Sequence, residues 1–303
     1  MGHFMTQLWE KANWPSFSWS NSALFDLLVK ARFEQGRLLS LSSSFVHSFE
    51  LSDTKGAIYA DLKTFDLTTD RLNGWQASLF PTGYSGIKKI KIADFRNKDL
   101  IRTSLPNKHL NEELQKYLHW WREPPVEMDP VLRSALAFLW FLFISPFEDG
   151  NYDIACALCE LALQQSENSP LRTYDIAVQL SENKNSVLHQ VENCALGMGD
   201  LTNYMLYFLE LYLVAVRSSY AIADKNQQSE HFWKSASTFD LNSRQRKILN
   251  LMLDEKCEMT NREYVDICKT SRESAKRDLA ELVSFGVLKF GEKKGRSVNY
   301  RLF

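Results

Sequence analysis

The chain has 303 residues, of which 45% are hydrophobic and 24% are charged, and its formal net charge is −1. This composition is typical of a soluble globular protein and excludes a disordered, collagen-like or disulfide-stapled chain. The near-zero net charge also argues against a protein that coats nucleic acid with its whole surface. Five cysteines are present, and we expect the C-x-x-C pair Cys156 and Cys159 to be buried reduced thiols rather than a redox or metal site.

The N-terminal residues lack the basic and apolar segments of a secretory signal. The most apolar window, residues 204–216, is too short to span a bilayer and contains Glu210. We therefore expect a cytoplasmic protein without a membrane partner.

The first clear helix is predicted over residues 20–44, with Ser20 or Asn21 as its cap. The preceding segment NWPSFSW is rich in aromatic residues, and we expect it to be extended and held by burial of its rings. Residues 45–70 are predicted to be helical but more polar. Turn signals around Pro81 and Gly83, followed by alternating isoleucines, then predict a β-hairpin over residues 74–96.

From residue 111 onward the spacing of apolar residues is again helical. The segment 130–144 is apolar on nearly every side, so it is predicted to lie in the middle of a helical bundle. The sequence thus predicts a mainly α fold with four parts. These are an N-terminal helical extension with the hairpin (1–110), a helical core (111–225), a polar linker or short frayed helix (226–240) and a C-terminal domain (241–303).

The last 63 residues carry a net charge of +5, against −6 for the rest of the chain. A helix is predicted over residues 242–254, and two capping boxes, Thr260 with Glu263 and Thr270 with Glu273, predict two more. Two short strands around a glycine-bracketed basic tip follow. Together these elements predict a winged helix built on a helix-turn-helix arrangement.

This predicted winged helix offers two sets of candidate DNA-binding residues. The outer face of its last helix carries Arg272, Lys276 and Arg277, which could enter the major groove, and its basic tip carries Lys293, Lys294 and Arg296. Asp278 and Glu281 share the helix and oppose DNA binding. The alternative is a solvated basic surface that contacts another protein or merely packs.

The segment SPFEDGNYD at residues 145–153 resembles the HPFxDGNGRxxR loop of the Fic (Fido) family, enzymes that transfer AMP from ATP to a protein hydroxyl. Other segments, among them FPTGYSG, resemble a Fic subfamily with a helical N-terminal extension and a C-terminal winged helix. The resemblance implies a Fic-type helical bundle with a β-hairpin flap. The loop keeps five family residues, namely Pro146, Phe147, Asp149, Gly150 and Asn151.

The same resemblance implies that the loop lacks the residues that carry out AMP transfer in the family. In the family a histidine is the general base, an acidic residue holds Mg²⁺, and two arginines neutralise the phosphates. Here Ser145 replaces the histidine, Tyr152 the second glycine, Asp153 the first arginine and Cys156 the second. We therefore expect no cofactor. ATP with Mg²⁺, held by Asp149, is expected only if the family activity persists.

Two further elements follow from the resemblance. The hairpin residues Gly83, Tyr84, Ser85 and Gly86 correspond to a flap that docks a target segment by strand addition. Glu50, in VHSFEL, is the candidate for the inhibitory-helix glutamate, whose expected cationic partner is replaced by Cys156; the alternative for Glu50 is an ordinary surface carboxylate.

The sequence thus supports a leading hypothesis of a degenerate Fic protein that transfers no AMP and acts as a binding or regulatory module. One alternative is a transferase that uses another donor, with Asp149 or Asp153 as the base. Another is a winged-helix regulator that binds DNA. A protein partner is expected at the flap or the winged helix, and the sequence leaves open both DNA and a second copy of the chain.

Overall fold

The computed structural model describes residues 8–10, 14–41, 58, 66–80, 110–123, 125, 127–167, 173–254, 258–292 and 298–303. The chain divides into two compact units, Met1–Ala223 and Asp224–Phe303. The boundary falls within a single long helix. We call these the N-terminal unit and the C-terminal unit.

The fold is mainly helical, as the sequence predicts. After a short 3₁₀ helix at Leu8–Glu10, the helices of the N-terminal unit are α1 (Asn21–Leu39), α2 (Thr69–Leu79), α3 (Leu110–Arg122), α4 (Pro130–Ile144), α5 (Asn151–Glu167), α6 (Ile176–Glu182), α7 (Lys184–Leu196) and α8 (Thr202–Ala236). The last of these continues into the C-terminal unit.

Helix α4 is the centre of the N-terminal core, which confirms the prediction for residues 130–144. Asp129 caps it by accepting a hydrogen bond from the Val131 N–H at 2.7 Å, and Pro130 fits the first turn, where no backbone donor is needed. Every residue from Val131 to Ile144 except Arg133 is buried. Helix α5 packs against it, with the Ser134 hydroxyl donating to the Cys159 carbonyl at 3.0 Å.

The aromatic segment before α1 is held by its rings, as predicted. Trp14 and Phe17 pack edge to face at 5.5 Å, and Phe17 lies 5.6 Å from Trp140 of α4. The Trp14 indole N–H donates to Glu113 at 2.7 Å. This segment therefore fixes the start of α1 on the core, and Ser20 caps the helix as expected.

Three predicted boundaries are wrong. Residues 74–79, assigned to the hairpin, belong to α2, because Leu72, Trp75 and Leu79 follow helical spacing and the first two are buried. Residues 226–236, assigned to the linker, belong to α8, because no glycine or proline interrupts them and Ala236 is buried. Helix α1 was predicted over residues 20–44 but ends at Leu39, because the Ser40 hydroxyl donates a hydrogen bond to the Arg37 carbonyl.

The C-terminal unit contains α9 (Ser243–Asp254), β1 (Met259–Thr260), α10 (Asn261–Cys268), α11 (Arg272–Ser284), β2 (Leu288–Phe290) and β3 (Asn299–Leu302). The sheet is antiparallel, with β3 between β1 and β2. The helices and the β2–β3 pair are as the sequence predicts, whereas β1 was missed because two residues leave no periodicity to detect.

One capping box is confirmed and the other is wrong. Thr260 and Glu263 exchange the two hydrogen bonds of a capping box at the start of α10. The next helix is instead capped by Ser271, whose hydroxyl accepts from the Ser274 N–H at 3.1 Å. Thr270 is unavailable because its backbone N–H still closes the end of α10 on the Val265 carbonyl.

Candidate functional site

The loop between α4 and α5 begins at Ser145, which the sequence resemblance aligns with the histidine of the Fic loop. Ser145 ends α4 in the left-handed conformation (φ 43°), and its N–H donates to the Phe141 carbonyl at 2.8 Å. Its hydroxyl donates to the Leu142 carbonyl at 2.5 Å. The proton of this hydroxyl is therefore committed to the end of the helix.

The amide of Asn151 holds the loop closed across four residues. Its Oδ1 accepts from the Phe147 N–H at 3.0 Å, and its Nδ2 donates to the Phe147 carbonyl at 2.7 Å. Both residues are buried, so each bond satisfies a backbone group that water cannot reach. We call this pair the Asn151 clamp.

Gly150 is required by the backbone and by its neighbours. Its φ is +82°, a conformation that other residues rarely adopt. A Cβ atom at this position would lie 2.8 Å from Leu79 Cδ1 and 3.3 Å from Phe80 Cε2. The end of α2 therefore covers the loop glycine with apolar side chains.

Tyr152, which the resemblance aligns with the second glycine of the Fic loop, has a role in the core of the N-terminal unit. Its side chain points into the core, with 3% of the residue exposed. The hydroxyl donates to the Leu180 carbonyl at 2.6 Å, and the ring packs at a right angle to Phe138 with 5.5 Å between centroids. Burial raises the pKa of Tyr152 well above its usual range. Tyr152 is thus an anchor of α5.

The residues at positions 153 and 156 also differ from the Fic loop, and residues 145–156 contain no positively charged side chain of their own. Cys156 is 3% exposed and lies within the apolar core, so the residue that the resemblance aligns with the second Fic arginine faces inward. Asp153 occupies the first turn of α5 and is partly exposed, and Asp149 is exposed with Oδ1 accepting from the Gly150 N–H at 2.8 Å. Residues 145–156 contain three carboxylates and no Lys, Arg or His.

These residues do not fit ATP with Mg²⁺. Asp149 and Asp153 could each offer an oxygen to a cation, but the described residues contain no cluster of three or more His, Cys, Asp or Glu side chains able to hold a metal. The loop also contains no arginine or lysine that could bind a phosphate.

In the C-terminal unit the candidate DNA-binding residues of α11 share one exposed surface. Arg272, Lys276 and Arg277 are all exposed, at the spacing of one helical face. We call them the α11 basic face. The predicted tip residues Lys293, Lys294 and Arg296 lie outside the described residues, as do Glu50 and the flap residues Gly83, Tyr84, Ser85 and Gly86.

The acidic residues that were expected to oppose this face point toward α9. Asp278 is 2% exposed and accepts from the Arg244 guanidinium at 2.9 Å and from the Tyr264 hydroxyl at 2.9 Å. Glu281 accepts from Gln245 Nε2 at 2.8 Å. Asp278 shares the helix with the α11 basic face, as predicted, but it lies on the apolar side of the helix with Leu279.

Asp278 is charged inside the unit because its partners outweigh its burial. Burial alone would raise its pKa, but hydrogen bonds from Arg244 and Tyr264 hold the pKa of Asp278 below its ordinary value. The sequence did carry a signal for this role. Ala275, Asp278, Leu279 and Leu282 follow the spacing of a buried helical face, so a carboxylate at 278 required an internal partner.

Comparisons with known proteins give two likenesses. Residues 7–64 match a family model described as a domain of unknown function (DUF4172). No curated protein matches the chain. Among solved structures, the chain is similar to the crystal structure of a Fic family protein from Desulfovibrio desulfuricans G20, at 13% sequence identity and a TM-score of 0.48, covering 93% of this chain and 96% of that chain. The family match ends before the loop at 145–153.

One described helix, Thr202–Ala236, is long and apolar enough to cross a membrane by length and composition alone. Half of its most apolar window is buried inside the fold, which is compatible with a core helix of a soluble protein.

Proposed function

We propose that the chain is a Fic-like protein whose loop no longer transfers AMP and which acts by binding a partner. The loop residues that match the Fic motif and those that differ from it have different roles. The family residues that shape the backbone are kept, since Gly150 supplies a positive φ and Asn151 clamps Phe147. The family residues that would move protons or hold phosphates are replaced.

The observation that carries this proposal is the state of Ser145. A general base for a target hydroxyl needs a pKa near the working pH and a free lone pair aimed at the substrate. The Ser145 hydroxyl does not meet the first condition, because a neutral hydroxyl is a far weaker base than an imidazole. Its hydrogen bond to the Leu142 carbonyl also fixes its orientation at the end of α4. An AMP transfer that needs a general base at residue 145 is therefore not expected.

Electrostatics supports the same conclusion. Exchanging an arginine for Asp153 changes the local charge by two units. Each unit is worth about 3 kcal/mol at about 5 Å and an effective dielectric of about 20, before solvent screening reduces it. Because Cys156 is buried in the core, it supplies no compensating cation.

Titration of ATP with Mg²⁺ into the full chain is therefore expected to give no saturable binding up to about 1 mM. Isothermal titration calorimetry is the measurement, and transfer of labelled AMP to an added protein extract is the second readout. Asp153→Asn and Asp153→Arg form a matched pair at the same partly exposed position, and we expect any gain in affinity to be larger for Asp153→Arg. Micromolar binding by the wild-type chain that disappears in Asp149→Ala would contradict the proposal.

A second candidate function, contact with DNA through the α11 basic face, rests on a separate observation. Asp278 is buried and paired with Arg244 of α9, so its carboxylate adds no negative charge to the exposed surface of α11. Phosphate contacts by exposed Lys and Arg provide sequence-independent affinity that falls with salt.

The triple variant Arg272→Ala/Lys276→Ala/Arg277→Ala is expected to weaken duplex binding and to reduce the slope of log Kd against log salt by about 2 to 3. Fluorescence anisotropy with a labelled duplex at several salt concentrations is the measurement. Lys234→Ala, an exposed lysine of the same unit, is the control. If the wild-type chain shows no binding at about 50 mM salt, or if the triple variant binds equally well, this second function is wrong.

A further inference from the structure

Helix α1 carries a row of exposed apolar side chains that the fold does not use. Phe25 is 63% exposed, Val29 51% and Phe33 66%. They are four residues apart, so they lie one above another along about 12 Å of the helix. The opposite side of α1, with Leu24 and Leu38, is buried in the core. We call the three exposed residues the α1 row.

Ion pairs fix the direction in which the α1 row points. Glu34 is 8% exposed and accepts from the Arg217 guanidinium of α8 at 3.0 Å, while Arg37 pairs with the same carboxylate at 2.8 Å. Nearer the middle of the helix, Arg32 bridges to Asp129 at 2.9 Å. Because these contacts anchor both sides of α1, the row is presented to solvent as a rigid surface.

We propose that the α1 row is the interface between two copies of this chain, with the two α1 helices antiparallel around a two-fold axis at Val29. Such an axis places Phe25 of one copy beside Phe33 of the other and brings the two Val29 side chains together. Equivalent rows of residues four apart interdigitate well when two helices cross.

The charges beside the row are self-complementary in this arrangement. Asp26 and Lys30 lie on the same edge of the row, one turn apart, and neither forms an ion pair within the part of the chain that the structure describes. In a dimer with this two-fold axis, the edge of α1 that carries Asp26 and Lys30 faces the same edge of the other copy. The two edges run in opposite directions. Asp26 of one copy then lies within about 3 Å, along the helix axis, of Lys30 of the other, and the pair occurs twice.

The end of the row leaves room for the neighbour's phenyl ring. Gly36 lies one turn after Phe33 and has no atom within 4 Å of the position a Cβ would take. Glycine within a helix is less favourable than alanine, and nothing in the described fold of α1 requires it at this position. A single pair of crossing helices is small beside a standard protein interface, so we expect a Kd in the micromolar range.

Sedimentation velocity of the full chain from about 1 to 200 µM tests the proposal. A concentration-dependent dimer is expected, and Val29→Glu is expected to raise the dimer Kd by about a hundredfold, because it places two carboxylates at the axis. Val178→Glu, at another exposed valine (39% exposed), is the matched control and is expected to leave the dimer unchanged. Both variants are to be checked by circular dichroism.

Charge reversal distinguishes this antiparallel pair from non-specific association. Asp26→Lys and Lys30→Asp are each expected to raise the Kd by about tenfold, and the double variant is expected to restore it to within about threefold. A chain that stays monomeric at every concentration, a dimer that survives Val29→Glu, or a double variant no better than the single variants would overturn the proposal. None of these results depends on the chemistry of the 145–153 loop.

Discussion

The substitution Tyr152→Gly is expected to lower the free energy of unfolding of the N-terminal unit by about 4 kcal/mol. The substitution removes a side chain that fills the core against Phe138, and it leaves the Leu180 carbonyl without its donor. Chemical denaturation of the full chain, followed by far-UV circular dichroism, measures the change.

Tyr152→Phe is the matched control, because it keeps the ring and removes only the hydroxyl. We expect it to cost about 1 kcal/mol, the usual net value of one buried hydrogen bond. A loss below about 1 kcal/mol for Tyr152→Gly would show that the tyrosine is not the anchor described above.

Asp278→Ala is expected to destabilise the C-terminal unit by about 3 kcal/mol. The Asp278 carboxylate accepts hydrogen bonds from Arg244, Tyr264 and Asn242. Its removal leaves the buried Tyr264 hydroxyl without this acceptor. The loss is at the low end for a buried charge pair because Arg244 is partly exposed and can be solvated in the variant. Hydrogen exchange of α9 and α11 amides is the measurement, since it reports on this unit separately from the rest of the chain.

Glu281→Ala, which removes a carboxylate from the exposed edge of the same helix, is the control and is expected to cost less than half as much. Acidification offers an independent check on Asp278. Because its folded pKa lies below that of an unfolded aspartate (about 3.9), its contribution to stability is present above that pH and is lost as pH falls through the folded value. Equal acid sensitivity in wild type and Asp278→Ala would contradict the role given to this residue.

Local signals in the sequence predicted much of the fold. Ser20 and the Thr260–Glu263 capping box begin helices where expected, because each side chain bonds to a backbone N–H within three residues. The apolar segment 130–144 is the central helix, because no side of it can face water. Such features depend on near neighbours, which are visible in a linear pattern.

Features that depend on distant neighbours were not predictable. The direction of the Tyr152 side chain is set by Leu180 and Phe138, and the covering of Gly150 by Leu79 and Phe80 depends on where α2 ends. The polar composition after residue 225 predicts a linker or a short frayed helix, whereas the helix continues and its Phe232 and Trp233 pack on the C-terminal core. In each case tertiary packing overrides a local preference.

The Asn151 clamp also shows which residues of the loop the fold itself demands. Its two hydrogen bonds maintain the turn between α4 and α5 whether or not the turn performs a reaction, so the need for a folded chain is enough to keep Asn151. The positive φ of Gly150 is demanded in the same way. Both residues are therefore markers of the shape of the turn, and their presence carries no information about its chemistry.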